Sequence, residues 1–535
     1  MADRQKKVTS IKVRMYRQGF GDCFLLQFFS KSERVFTMLI DCGIKLNTAR
    51  EQCPIDHVID DLRDQLTPKS KSKKGNAPEL DVLVATHEHW DHVAFFHPET
   101  KTEAGSRNLF EDFVIQQTWL GWTENPNDKQ AVALNTRLRR GATALQIAAT
   151  QLQEIADRNP SPKATADEAG KPAEPDPRTA FNRGVAEVAT FYGLTPEQDR
   201  LMRGTTRKKS LKTEEALSNV IDLGEKHGRV HYFDPGTLVD SQLLPTGIRV
   251  YVLGPPRDDK LKKSNPSAGS RQETYLSLDQ TGFSGFIDGL LQMGEGDSPG
   301  DAADSQGRAL SRNRPAAASQ PFGRENGISV AEAERHPFLR QTYFTSDQSY
   351  RRIDDTWLDA AGQFALQLDG AVNNTSLVLA IEFEESEKVL LFPGDAQVGS
   401  WLSWHELEWK VKSGTETKTR TATDLLNNTV LYKVSHHGSH NATLRAKGLE
   451  LMTHPDLVAL IPEQEEKYAG IIHKELFDRL QQRCRGRVIV SADSKHRAED
   501  LRKRAKPSDL SPQEWAQFQD NLETSDTYVE YTVHG

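Results

Sequence analysis

VATHEHWDHVAF, Val84–Phe95, sets three histidines, a glutamate and an aspartate in the six residues that follow an apolar run. His87 and His89 stand two apart, so an extended strand exit turns both to one side. Asp91 and His92 follow as the chain begins to turn, which aims them at a neighbouring position. Imidazole and carboxylate are the ligands that borderline divalent metals such as zinc favour. One ion cannot take all four groups from so short a segment, whereas two ions roughly 3.5–4 Å apart can. The alternative is a polar turn with incidental histidines. Against it, three of the chain's 16 histidines fall in this one pattern.

Working outward, several short runs rich in β-branched residues and leucine read as strands ending at polar clusters. They are residues 11–28, 36–43, 80–87, 376–383, 389–396, 429–437, 457–462 and 487–494. Residues 107–157 carry long amphipathic helical runs, 211–226 continue in the same manner, and 477–483 read as a helix leading into the last strand. Stretches 69–78, 159–178 and 258–272 are rich in Lys, Pro and Ser. Residues 294–326 hold too few bulky apolar side chains for a core and read as disordered. The expected organisation is an α/β core split by two insertions. Its parts are 1–122 (core), 123–218 (helical insertion), 219–256 (core strands), 257–370 (loop-rich, partly disordered insertion) and 371–535 (core).

At 535 residues the chain exceeds one simple core. A formal net charge of −8 argues against a generic polyanion binder, although local basic runs could still line a groove. MADRQKKVTSIKVRMY has no apolar stretch of the signal-peptide kind, and no run approaches the ~18 apolar residues of a membrane span. Cys23, Cys42, Cys53 and Cys484 show no paired metal-type spacing and suggest no disulfide framework. A cytoplasmic protein without membrane attachment is expected.

HxHxDH, met by His87, His89, Asp91 and His92, resembles the signature of the metallo-β-lactamase superfamily. FTMLIDCG resembles its motif with an aspartate behind the metals, here Asp41. VLLFPGDA resembles the strand ending in the metal-bridging aspartate, here Asp395, and YKVSHHGS resembles the last histidine motif. The implied fold is the αββα sandwich, with the site where strand ends of both sheets converge. GFGDCFLLQF, LIDCG, NNTSLVLAI, FPGDA and KVSHHGS together resemble the hydrolase domain of ComEC-type DNA-uptake proteins and related phosphodiesterases. YAGIIHKELFDRL resembles the histidine-then-helix segment of that branch, which brings in His473. The match covers about half of the chain, and the insertions resemble no known family. The membrane channel of ComEC-type proteins is absent, so a DNA-uptake role does not carry over.

The resemblance implies two divalent transition-metal ions, zinc first and manganese second. His87, His89 and Asp395 fall to one ion; Asp91, His92, Asp395 and His437 fall to the other. In related members the ligand lies two residues before the serine of the last motif, which selects His437. His436 then supports the ligands or serves the leaving group. Many members have a further histidine ligand; the candidates here, His97, His227, His231 and His336, sit in no convincing glycine-flanked strand end. Asp41 is expected to orient a histidine rather than to ligate. Asp22 and Asn374 either cap backbone turns or touch substrate, Ser439 orients its loop, and His473 is a site residue or a helix cap.

A two-metal site of this kind acidifies water to hydroxide near neutral pH, with Asp91 accepting or orienting its proton. Three readings follow. The first is a phosphodiesterase or nuclease acting on DNA or RNA, supported by the basic runs Lys69–Lys74, Arg200–Lys212 and Arg502–Lys506, each of which alone reads as a solvated loop. The second is a hydrolase of a small phosphodiester or other small ester, supported by the net acidity and by the lack of a recognisable nucleic-acid-binding module. The third is a partner-regulated effector of a multi-component bacterial system, in which the insertions bind a protein and control the site.

Overall fold

The computed structural model describes residues 6–68, 77–102, 105–158, 188–193, 211–258, 330–345, 356–413, 416–463, 472–491 and 505–535. The basic run at Lys69–Lys74, most of the run up to Lys212 and of the run at Arg502–Lys506, and the loop at 294–326 lie outside these residues.

The chain is a mixed α/β protein built on two large sheets. The core strands are β1 (Ser10–Tyr16), β2 (Cys23–Ser30), β3 (Glu33–Cys42), β4 (Val82–Val84), β5 (Gln117–Gly121), β6 (Arg229–Phe233), β7 (Ile248–Gly254), β8 (Val378–Phe383), β9 (Val389–Phe392), β10 (Thr429–Lys433), β11 (Val458–Ile461), β12 (Val488–Val490), β13 (Leu522–Thr524) and β14 (Tyr528–His534). The first sheet runs β6-β5-β4-β3-β2-β1-β14-β13, the second β7-β8-β9-β10-β11-β12. In the first, β3 to β6 pair in parallel and the remaining pairs are antiparallel. In the second, β9 to β12 pair in parallel, and β7, β8 and β9 pair antiparallel.

Strand alternation decides which sheet face meets what. Ile11, Val13, Leu26 and Met38 of the first sheet share a buried core with Val250, Leu379, Ile381 and Leu390 of the second. The intervening residues point the other way. Leu25, Leu39 and Leu83 pack on helix α1 (Ile55–Leu66) through Val58, Ile59 and Leu62. Tyr251, Ala380 and Leu391 pack on the tryptophans Trp401 and Trp404 and on Leu425 and Leu480. Each such side chain contributes roughly 1.5–3 kcal/mol by leaving water, and the register that achieves it for both faces fixes the pairing.

Eleven helices are described; beyond α1 they are α2 (Trp90–Val93), α3 (Lys129–Arg158), α4 (Lys212–His227), α5 (Val330–Arg335), α6 (Pro337–Thr342), α7 (Thr356–Asn373), α8 (Val398–Trp404), α9 (Ala422–Asn427), α10 (Lys474–Arg483) and α11 (Pro512–Asp520). None is long and apolar enough to cross a membrane.

Several features differ from the sequence reading. Residues 11–28, read as one strand, form β1 and β2 around a turn at 17–22. Within the stretch read as helical, Gln117–Gly121 is a fully buried parallel strand. Helix α4 runs across the expected limit at 218/219, and its Ala216, Leu217 and Val220 join the core on the outer face of the first sheet. The C-terminal TYVEYTVH, given no element from sequence, supplies β14, which pairs along the whole of β1. The two stretches expected as insertions also meet each other. Ala142 and Leu145 of α3 share a cluster with Phe364, Ala365 and Leu368 of α7. The four cysteines are free thiols, with Cys23 Sγ and Cys42 Sγ 3.1 Å apart across β2 and β3.

Candidate metal centre

The carboxyl ends of β3, β4, β9, β10 and β11 open toward one place, and each continues into a residue of the site. Asp41 closes β3, Thr86 and His87 follow β4, Asp395 follows β9, Ser435–His437 follow β10, and Pro462 follows β11. The turn after β1 is pressed onto this loop. Asp22 N–H donates to Asp91 O at 2.9 Å. A Cβ on Gly43 would stand 2.3 Å from the Asp91 carbonyl carbon, so only glycine admits that approach.

Asp91, His92, Asp395 and His437 each offer a ligand atom, and these atoms lie within 4.8 Å of one another, all in buried residues. His437 Nε2 is 3.2 Å from Asp91 Oδ2 and 3.7 Å from Asp395 Oδ2. His92 Nε2 is 3.2 Å from Asp395 Oδ2. Beside them, His87 Nε2 and His89 Nδ1 face each other at 3.1 Å. The histidines are fixed from behind. Asp41 accepts from Thr86 N and Thr86 Oγ1 and contacts His92 Nδ1 at 2.8 Å. His437 Nδ1 meets Pro462 O at 2.7 Å, which leaves Nε2 for the cluster.

Among the described residues, three buried atoms of the cluster have no hydrogen-bond partner: His92 Nε2, Asp91 Oδ1 and Asp395 Oδ2. A buried polar atom left without a partner is costly, and three of them in one cluster fit a cation. The electrostatics agree. Burial alone would push the Asp395 carboxyl up, but His92, Lys433, His437 and His436 hold it well below the usual carboxylate range. Asp91 is likewise lowered against its burial by His92 and His437. Burial opposes a charge on His92, yet Asp395, Asp22, Asp41 and Asp91 raise it well above the ordinary value. His87 is held well below its ordinary value by burial and by His92 and His89, and burial brings His89 down to about 4. Burial, then Asp91 and Asp395, push Asp369 up to about 7. Carboxylates crowded around imidazoles are what a divalent cation would satisfy, so this cluster of histidines and aspartates could hold a metal ion.

The other sequence candidates fall into place around it. Asp22 pairs with Lys433 Nζ at 2.5 Å and lies 3.7 Å from His92 Nδ1, behind the ligands. Asn374 Oδ1 accepts from Gln397 N, bracing the turn that carries Asp395. Ser439 N–H bonds His436 O and closes the histidine loop. In that loop His436 (φ 45°), His437 (φ 52°) and Gly438 (φ 90°) are left-handed in succession, a run that non-glycine residues adopt only when their surroundings enforce it. His436 Nε2 stands 4.0 Å from Asp395 Oδ2, while its ring faces Asn373 and Gln397 amides at 3.5 and 3.4 Å. The exposed His473 stands at the N-cap position of α10 without a side-chain capping bond; its N–H bonds Gly438 O and its ring lies by His440, without a described contact to the candidate ligands. The further histidines considered stay elsewhere: His97 pairs with Glu215, His231 stacks on Phe233, His227 ends α4 and His336 caps α6.

Sequence reasoning missed Lys433, which also contacts Asp395 Oδ1 at 3.2 Å and Gly394 O at 2.9 Å. Its only sequence signal was its seat in the YKVSHHGS stretch. It missed equally the wall supplied by the insertions. Phe191 and Tyr192 lie against the His89 ring at 5.6 and 5.3 Å, and Asp369 of α7 faces the same ring. Nothing in residues 188–193 or around Asp369 marks them by pattern.

Compared with protein families, with curated proteins and with solved structures, the chain finds no match in any of the three.

Proposed function

We propose that the chain is a dinuclear metal-dependent hydrolase with a metallo-β-lactamase sandwich of the ComEC-like branch, acting on phosphodiesters and on nucleic acid first among them. The observation that carries this reading is the meeting of Asp91, His92, Asp395 and His437 from three distant motifs, with unpartnered atoms among them. Two packed sheets with helices on their outer faces, and a cluster at the carboxyl ends of parallel strands, support the fold assignment. His87, His89 and Asp395 would hold one cation and Asp91, His92, Asp395 and His437 the other. Lys433 contacts Asp395 Oδ1, and Oδ2, without a hydrogen-bond partner, would be open to a cation.

Divalent cations, zinc first and manganese second, supply such a site with acidified water and with neutralisation of charge on a phosphoryl group. The chain's own residues divide the remaining work. Asp91 Oδ1, without a partner, takes or orients the proton of the attacking water. His436, flanked by the Asn373 and Gln397 amides, forms the polar side from which a leaving oxygen is hydrogen-bonded. Lys433 holds Asp395 and Asp22 in place. Phe20, its ring tilted against that of His437, and Phe191 shield the opposite side from water.

The test is metal content after reconstitution, together with hydrolysis of single- and double-stranded DNA, RNA and bis(p-nitrophenyl) phosphate. About two ions per chain and metal-dependent cleavage are expected; no bound ion after reconstitution refutes the reading. The net charge of −8 favours a second reading, a small phosphodiester as substrate. Polynucleotide binding that weakens steeply with salt supports the nuclease, whereas turnover of the small diester alone supports the alternative.

A further inference from the structure

His89 presents its two ring nitrogens to different neighbours. Nδ1 faces His87 Nε2 at 3.1 Å, while Nε2 is buried, has no hydrogen-bond partner and lies 3.9 Å from Asp369 Oδ1. Asp369 Oδ1 is itself buried and without a partner, and the carboxylate's other oxygen accepts from Asn373 Nδ2 at 3.0 Å. A histidine that ligates through Nδ1 must carry its proton on Nε2, and that proton needs an acceptor. The nearest acid is therefore aimed at the nitrogen that would bear it.

We propose that Asp369, carried by α7 from the second insertion, is the positioning carboxylate that receives the His89 Nε2 proton and so fixes His89 Nδ1 as a metal ligand. The proposal rests on the dinuclear reading above. It makes the insertions part of the metal centre. Helix α7 packs on α3 through Leu368 and Leu145, and Tyr192 and Phe191 from the first insertion close the remaining sides of the His89 ring. Glu88, between the two ligand histidines, is bound by Thr213 of α4 at 3.0 Å and lies 4.0 Å from Arg139 of α3. The loop bearing His87 and His89 is thus held at Glu88 from the first insertion and faced at His89 by Asp369 of the second. A partner that shifted α7 would act on metal affinity before it acted on substrate.

The experiment measures Zn2+ affinity and stoichiometry of the full chain by chelator competition, with the unfolding midpoint of the metal-free protein as a control for folding. Outer carboxylates of this kind are worth about 10–100-fold in metal affinity. Asp369→Ala is expected to weaken one of the two sites by that factor, with the other site and the metal-free midpoint unchanged. Asp369→Asn, isosteric and still able to accept through its amide oxygen, should recover most of the loss. Affinities of Asp369→Ala within twofold of the native chain at both sites overturn the proposal and leave the dinuclear reading standing. Outright loss of one ion in Asp369→Asn makes Asp369 a ligand itself and overturns the positioning role. A native chain that binds no Zn2+ removes the parent reading along with this one.

Discussion

His437 Nε2 stands 3.2 Å from Asp91 Oδ2, although 346 residues separate the two along the chain. One comes from the loop after β10 of the second sheet, the other from the helix after β4 of the first. The contact exists because the sheets share a core that brings their strand ends to the same edge.

That contact separates the two adjacent histidines. His437 is buried and locked by Pro462 O, whereas His436 faces Asn373 and Gln397. His437→Ala should lower metal occupancy by about one ion per chain, whereas His436→Ala should keep both ions and lose turnover by about 10²-fold or more. Parallel elemental analysis and rate measurements check this, and the reverse pattern would exchange the two roles.

Asp395 Oδ2 faces His92 and His437 while Oδ1 is held by Lys433. Asp395→Ala should therefore be the most damaging single change, abolishing binding of both ions. In the native chain, metal removal by a chelator should lower the unfolding midpoint, since an ion at a thousand times its Kd contributes about 4 kcal/mol per site. A chelator-insensitive midpoint, or normal metal content in Asp395→Ala, contradicts the assignment.

Far from the site, Arg14 on β1 and Glu530 on β14 form a buried pair at 2.7 Å, reinforced by Asp61 and Lys12. Replacing Glu530 by Ala leaves the guanidinium short of a partner in the sheet, which typically costs about 3–5 kcal/mol. Urea unfolding measures it; a loss below about 1 kcal/mol would show that Asp61 alone suffices.

Glu514 caps α11 with Ser511 and pairs with Arg485, and these bonds bring its carboxyl down to about 2 from the ordinary 4.5. A lowered folded-state value means the ionised form is the one that stabilises, so its contribution is full above about pH 4.5 and is lost as pH falls toward 2. The melting difference between native chain and Glu514→Gln should shrink over that window. A difference that stays constant across it would assign the effect to packing alone.

Much of the centre was legible in the sequence because its donors are chemically conspicuous. His87, His89, Asp91 and His92 are crowded in six residues, and Asp41, Asp395 and His437 each close an apolar run. Strands of strong β-branched character were legible for the same reason: their burial on both faces leaves a continuous apolar run. Other parts were invisible. Gln117–Gly121 reads as a polar continuation of helical sequence until its pairing with β4 and β6 is known. The strand Tyr528–His534 alternates with Glu530 in its midst, and only Arg14 and Lys12 across the sheet explain a buried carboxylate there.

What the sequence by itself determined is the kind of donor set, because the identity and local spacing of the candidate ligands are properties of a few neighbouring residues. What only the tertiary structure decided is which distant groups join that set. Lys433 is one lysine among many until it meets Asp22 and Asp395, and Asp369 is an unremarkable acid on a helix until α7, packed on α3, turns it toward His89. Such roles depend on burial, where a charge without a partner costs several kcal/mol, and burial is set by the packing of the whole chain rather than by any stretch of it.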